Sequence, residues 1–216
     1  MGSLQYLTLT RLDISYVVHN VCQYMQTPRE PHLIVVKRIF HYLKGTLDIG
    51  LHFVPMPLTA LHGFYDVDWA WCKDDRRSTF GFTIYMGANL LSWGAKKQAT
   101  VSRFMTEAEY HALASTTAEL MCFMNLLKSI GYCLPSPKLY CDNISAITMA
   151  KNLVFHHRTK HIEIDVHFVR ERVANGALLL EHVAGTAQLA DILTKPLCSD
   201  KFVSNRAKLL IEYQPP

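Results

Sequence analysis

The first apolar rhythm of the chain is helical. Ile14, Val17, Val18, Val21, Cys22, Tyr24 and Met25 recur at roughly helical spacing. Pro28 and Pro31 end that helix and open another. Its apolar stripe is Leu33, Val36, Ile39, Phe40 and Leu43, with Lys37, Arg38, His41 and Lys44 on the flanks and Gly45 as a C-terminal stop. Residues 1–57 therefore predict a helical segment, with Pro55-Met56-Pro57 as the boundary to a second unit over 58–216. There the period changes to two. From Leu61 to Trp69, Gly63, Tyr65, Val67 and Trp69 share one face of a strand, and Phe64, Asp66 and Asp68 share the other. Strands over Phe80–Gly87 and Leu90–Trp93, joined at Gly87-Ala88-Asn89, complete an antiparallel meander. A long helix follows from Thr106 to about Ile130, its inward stripe Leu113, Thr117, Leu120, Met124 and Leu127. Thr106 reads as its N-cap, with Glu109 closing a capping box. Then come a strand at Lys138–Cys141, a helix from Asn143 to Lys151 and a helix from His161 to Asn175 stopped by Gly176. A final strand, Ala177–Val183, and a helical segment from Gln188 to Leu197 close the pattern.

Composition narrows the class. Half of the 216 residues are hydrophobic and 19% are charged, which is globular and not disordered. A net charge of +4 permits a polyanionic partner without demanding one. Six cysteines without metal-ligand spacing predict reduced thiols of an intracellular protein. No apolar run approaches ~18 residues, and the N-terminus lacks a signal-peptide pattern, so no membrane partner is expected. The loop Phe155 to His161 is rich in histidine but has no zinc context; its Arg158 and Lys160 predict a basic loop facing solvent or phosphate. Asp74-Asp75 lies among charged neighbours and reads as a turn, not as the metal hairpin of a polymerase.

The chemistry centres on Asp66. A strand flanked by helices is buried, and an ionised carboxylate is costly to bury unless it is paired or binds metal. Three later segments carry acids in comparable settings: Glu109, Asp142 and Asp191. Glu109 lies one turn before Leu113 on the inward stripe, whereas Glu107 falls about 200° around the helix. An inward Glu needs a partner, and a metal shared with Asp66 supplies one. The alternatives are structural: Asp66 and Asp68 as a strand end, and Glu109 as part of a cap.

The element order, and the acids on the first strand, first helix, fourth strand and last helix, resemble the ribonuclease H fold. Eight segments carry a closer resemblance: Tyr65-Asp66-Val67-Asp68-Trp69-Ala70, Asp74-Asp75-Arg76-Arg77-Ser78-Thr79, Ser92-Trp93, Lys96-Lys97-Gln98, Thr106-Glu107-Ala108-Glu109-Tyr110, Cys141-Asp142-Asn143, Arg158-Thr159-Lys160-His161-Ile162 and Gln188-Leu189-Ala190-Asp191-Ile192. Together they are similar to the ribonuclease H domain of a copia-type retrotransposon Pol polyprotein. Residues 1–54 resemble the reverse transcriptase tail that precedes it, through Gly2-Ser3-Leu4-Gln5-Tyr6-Leu7 and Pro28-Arg29-Glu30-Pro31-His32.

The resemblance implies an α/β fold, a mixed five-stranded sheet flanked by helices, preceded by the helical segment. It implies cleavage of the RNA strand of an RNA–DNA hybrid with Mg²⁺, or Mn²⁺, as cofactor. Asp66, Glu109 and Asp142 would hold the metals. Asp191 would be the fourth carboxylate, preferred to Asp165 because it follows the fifth strand. The partners would be the hybrid and the rest of a Pol polyprotein, including its reverse transcriptase, with Lys96, Lys97, Arg103, Arg158 and Lys160 meeting nucleic acid. Three departures from the family's wording point to a second reading, a folded remnant that binds without cutting: Trp71 in place of a small Gly, Phe104-Met105 in place of Ser-Ser, and Leu12 and Leu153 in place of Pro.

Overall fold

The computed structural model describes residues 1–57, 59–72, 74–152, 162–209 and 211–213, the last three by backbone alone. Four short helical pieces come first: α1 (Gly2–Leu7), a 3-10 turn (Leu12–Ile14), α2 (Ser15–Cys22) and α3 (Glu30–Lys44). Pro31 sits in the first turn of α3, where its missing N–H is no loss. Leu4, Ile14, Val18 and Ile39 form the core of this region. The apolar stripe expected along α3 is only half covered: Ile39 is buried, but Leu33 and Phe40 are exposed.

The main sheet has the order β4-β3-β2-β5-β6, built from β2 (Leu61–Asp68), β3 (Thr79–Met86), β4 (Asn89–Lys97), β5 (Lys138–Cys141) and β6 (Leu179–His182). β2, β3 and β4 pair antiparallel; β2–β5 and β5–β6 pair parallel. This mixed five-stranded sheet with helices on both faces is the ribonuclease H-like fold. β4 runs on to Lys97, beyond the expected end at Trp93, because its pairing with β3 continues to Thr79.

One sheet face carries α4 (Met105–Ser129), α5 (Ile144–Lys151) and α6 (Glu163–Ala174). Tyr65 and Val67 of β2 pack there against Leu113 and Leu120 of α4 and Val166 and Val169 of α6. The other face is closed by α7 (Asp191–Thr194) and by Leu12 from the first segment, with Tyr85, Leu90, Ile192, Leu193 and Leu209 in one cluster. The alternation on β2 is therefore as expected, with Asp66 on the face opposite Tyr65.

Three elements depart from the sequence pattern. The C-terminus continues past Pro196 into α8 (Ser199–Lys208) and a short strand, β7 (Ile211–Tyr213). β7 pairs antiparallel with β1 (Ile49–Leu51), so Ile49 to Leu51 are strand, not helix. A buried ionic network also ties the first helices to α8. Arg11 grips both oxygens of Asp13 at 3.0 and 2.9 Å, Tyr42 donates to Asp13 at 2.6 Å, and Arg206 donates to Tyr42 at 3.0 Å.

All six cysteines are free thiols. Asp75 accepts from the backbone N–H of Arg77 at 3.1 Å and pairs with Lys97, so the Asp74-Asp75 pair is a turn. Among the described residues no helix is long and apolar enough to cross a membrane.

Candidate active site

Asp66 lies near the C-terminal end of β2 and is 1% exposed. Its cross-strand partner on β3 is Gly81. A Cβ at Gly81 would stand 2.6 Å from Cβ of Leu193 and 2.9 Å from Cγ2 of Thr194. Glycine at this position is what lets α7 lie directly on the sheet, beside Asp66. Gln188 anchors the approach to α7, donating to the Tyr65 carbonyl at 2.9 Å from a fully buried side chain.

Seated in this way, α7 delivers two donors to Asp66. Thr194 Oγ1 donates to Oδ2, and Lys195 Nζ donates to Oδ1 at 2.9 Å. Lys195 also reaches Oδ1 of Asp191 at 3.1 Å, one helical turn back, and Lys201 of α8 holds Oδ2 of Asp191 at 2.5 Å. Asp191 is buried, 3% exposed. Burial pushes the Asp66 carboxyl above its ordinary pKa, and Lys195 and Thr194 offset part of that push. For Lys195, burial favours the neutral amine, but Asp66 and Asp191 outweigh it and raise its pKa.

Asp142 follows β5 directly. The parallel register ends with Phe64 opposite Tyr140, two residues before Asp66 on one strand and two before Asp142 just past the other, and both charges act on Glu109. Asn143 then caps α5, its Oδ1 accepting from the backbone of Ala146 at 3.1 Å. A Cβ on Gly185 would lie 3.8 Å from Oδ2 of Asp142, so the turn before α7 passes close to it.

Glu109 enters from α4 and is 1% exposed, and its Oε2 has no hydrogen-bond partner. Burial, then the charges of Asp66 and Asp142, push its pKa up to about 8, against the opposing pull of Lys195 and Asn143. Glu109 is not part of a cap. The helix begins at Met105, with Phe104 as N-cap, so Thr106 lies inside the first turn. The carboxylate that serves the helix start is Glu107, which accepts from the Arg103 backbone at 2.9 Å and is itself buried, contrary to the outward position expected for it.

Asp66 and Asp142 thus act electrostatically on Glu109, and Asp191 acts on Asp66. Asp165 stands apart from them: its carboxylate pairs with Nδ1 of His111 at 2.5 Å. Asp68, at the strand end, has its pKa raised to about 6, mainly by burial. Among the described residues no three His, Cys, Asp or Glu side chains are already disposed to hold one metal ion. The donor chemistry nevertheless fits a hard divalent cation at Asp66, Glu109 and Asp142. All three are oxygen ligands, and the buried, partnerless Oε2 of Glu109 is what such a cation would satisfy.

The expected nucleic-acid contacts divide. Lys96 and Arg103 are exposed on the surface. Lys97 is engaged within the protein, by Asp75 at 2.9 Å and Gln23 at 2.9 Å. Arg158 and Lys160 lie outside the described residues. Thr194, Lys195 and Lys201 escaped the sequence reading. The one signal for them was the Asp191–Lys195 spacing on a helix.

Comparison with known proteins adds the family context. No protein-family model matches the chain. It is 45% identical over 217 aligned positions to the "Retrovirus-related Pol polyprotein from transposon RE1" of Arabidopsis thaliana, covering 100% of this chain and 15% of that protein. It is 35% identical over 203 positions to the corresponding polyprotein of transposon TNT 1-94 of Nicotiana tabacum, covering 94% of this chain and 15% of that protein. The chain therefore spans about 15% of the length of these curated relatives. Among solved structures, LC11-RNase H1 in complex with RNA/DNA hybrid aligns at 16% identity with a TM-score of 0.47, over 62% of this chain and 93% of that one.

Proposed function

Because this chain belongs to the Pol polyproteins of copia-type retrotransposons, we propose that it acts as their ribonuclease H, cutting the RNA strand of an RNA–DNA hybrid with Mg²⁺ or Mn²⁺. The observation that carries the reading is Glu109. An acid is driven inward with one oxygen partnerless, under the fields of Asp66 and Asp142. A group so destabilised is a functional-site signature. Asp66, Glu109 and Asp142 would hold the metal, and Asp191 supports them from α7.

Bound there, a divalent ion would activate the attacking water and stabilise the leaving oxygen. The chain's own residues prepare the site for a polyanion. Asp66 and Asp191 are matched by Lys195 and Lys201, which lowers the negative charge that the pocket presents to an approaching phosphate. Exposed Lys96 and Arg103 flank the helix-start region and would meet the backbone of the hybrid.

The test is cleavage of a labelled hybrid with Mg²⁺ by the parent and by Asp142→Asn. Cleavage is expected from the parent only. Undiminished activity in the variant removes Asp142 from the site.

A reading as a binding remnant has one observation in its favour. Phe104 and Met105 project into solvent at the start of α4, 65% and 50% exposed, where hydroxyl donors would otherwise face a phosphate.

A further inference from the structure

Thr194, Lys195 and Lys201 give each oxygen of the two buried aspartates a donor. Oδ2 of Asp66 takes Thr194, Oδ1 of Asp66 and Oδ1 of Asp191 share Lys195, and Oδ2 of Asp191 takes Lys201. Glu109 is left without a donor on Oε2. The cation that matters most is Lys195, the one placed on a carboxylate of the proposed metal set. We infer that the Lys195 ammonium is a resident cation of this site, one that a divalent ion must displace from Asp66, so that Lys195 sets the metal affinity. The inference rests on the proposed metal-binding role of Asp66.

Three features suit Lys195 to this task. Its side chain is 35% exposed while that of Asp66 is 1% exposed, so the ammonium can leave while the carboxylate stays. Its four-carbon stem is flexible and carries a point charge, so no fixed planar geometry is lost on release. A cavity of about 430 Å³, bordered by Tyr16, Tyr42, Ile192, Pro196 and Phe202, opens beside it and gives the stem room to withdraw. Asp191, one turn back on the same helix, retains Lys201 and can keep hold of the displaced ammonium as well. The lysine then moves by a swing of its own side chain, and α7 keeps its seat on the sheet.

Calorimetric titration with MnCl₂ tests this on the full chain, comparing the parent with Lys195→Met, Lys195→Arg and Asp66→Asn. Lys195→Met is expected to bind Mn²⁺ at least about tenfold more tightly than the parent, and Lys195→Arg, whose planar guanidinium is harder to release, to bind no more tightly than the parent. Equal or weaker binding by Lys195→Met overturns the inference. If it does so while Asp66→Asn loses binding, the metal site itself still stands. If no protein binds Mn²⁺, the metal reading and the inference fall together. A second measurement avoids any dependence on the variant's folding. In the parent, the Nζ resonance of Lys195, protected by its two carboxylate partners, should shift and exchange faster with solvent as Mg²⁺ is added. A resonance unchanged at saturating Mg²⁺ also overturns the inference.

Discussion

Adding one methyl group at Gly81 tests how closely α7 is seated on the sheet. In Gly81→Ala the new Cβ would meet Cβ of Leu193 at 2.6 Å, Cγ2 of Thr194 at 2.9 Å and the Ala190 carbonyl at 3.5 Å. Carbon atoms pack at about 3.5–4.0 Å, so α7 has to retreat by roughly 1 Å. Leu193 and Thr194 are fully buried and have no open space to yield into. The backbone at Gly81 is not in the left-handed region, so the penalty is steric and not conformational. Overpacking of this kind costs about 1–3 kcal/mol. For a chain of this size that lowers the melting temperature by roughly 2–4 °C per kcal/mol. The same retreat pulls Thr194 and Lys195 away from Asp66, so the variant should also lose ordered contacts at the carboxylates. The assay is thermal and urea denaturation beside Gly50→Ala, a site with nothing within 4 Å of the added carbon. Equal stability of Gly81→Ala and the parent would refute the account of how α7 reaches Asp66.

Other perturbations address other parts of the molecule. Asp13→Asn leaves the buried Arg11 guanidinium short of its bidentate partner and should cost about 3–5 kcal/mol in urea unfolding; a loss under 1 kcal/mol would remove the network as a major tie between the first helices and α8. His62, stacked on Tyr85 at 5.1 Å, has its pKa lowered by burial. The unfolded chain therefore takes up the proton first, and stability falls as pH drops through about 6.5. His62→Phe should flatten that decline, and an unchanged slope of melting temperature against pH would sink the assignment. Replacing Phe104 and Met105 together by Ser should raise hybrid affinity about tenfold or more, from one or two restored hydrogen bonds to charged phosphate. Because both side chains are exposed, stability should hold. Equal affinity would return them to tolerated surface changes.

Much of the architecture was legible because local signals agree with the tertiary outcome. β2 alternates cleanly because one of its faces meets α4 and the other α7. β5 and α5 are marked by a short apolar run and by Asn143, which does cap its helix. The unread parts are those with no local signature. β1 and β7 are three residues each, far apart in sequence, and gain their structure only by pairing with each other. The half-exposed stripe of α3 reads as core by periodicity, since pattern alone cannot say how much of a face another element covers. The helix start at Met105 was misplaced because Thr106 is a good cap by type, while here the carboxylate of Glu107 serves that end. At the site, each acid could be named from its setting. Their counter-ions could not, because Lys195 meets Asp66 only once Gly81 allows α7 onto the strand.

The most direct measurement uses one RNA–DNA hybrid with a different fluorophore on each strand, incubated with Mg²⁺ and the parent or Glu109→Gln. The account predicts that the parent cuts the RNA strand and leaves the DNA strand whole, that chelation stops the reaction, and that Glu109→Gln, correctly folded by circular dichroism, cuts neither. Cleavage of RNA by Glu109→Gln at the parent's rate, or no strand preference in the parent, would contradict it.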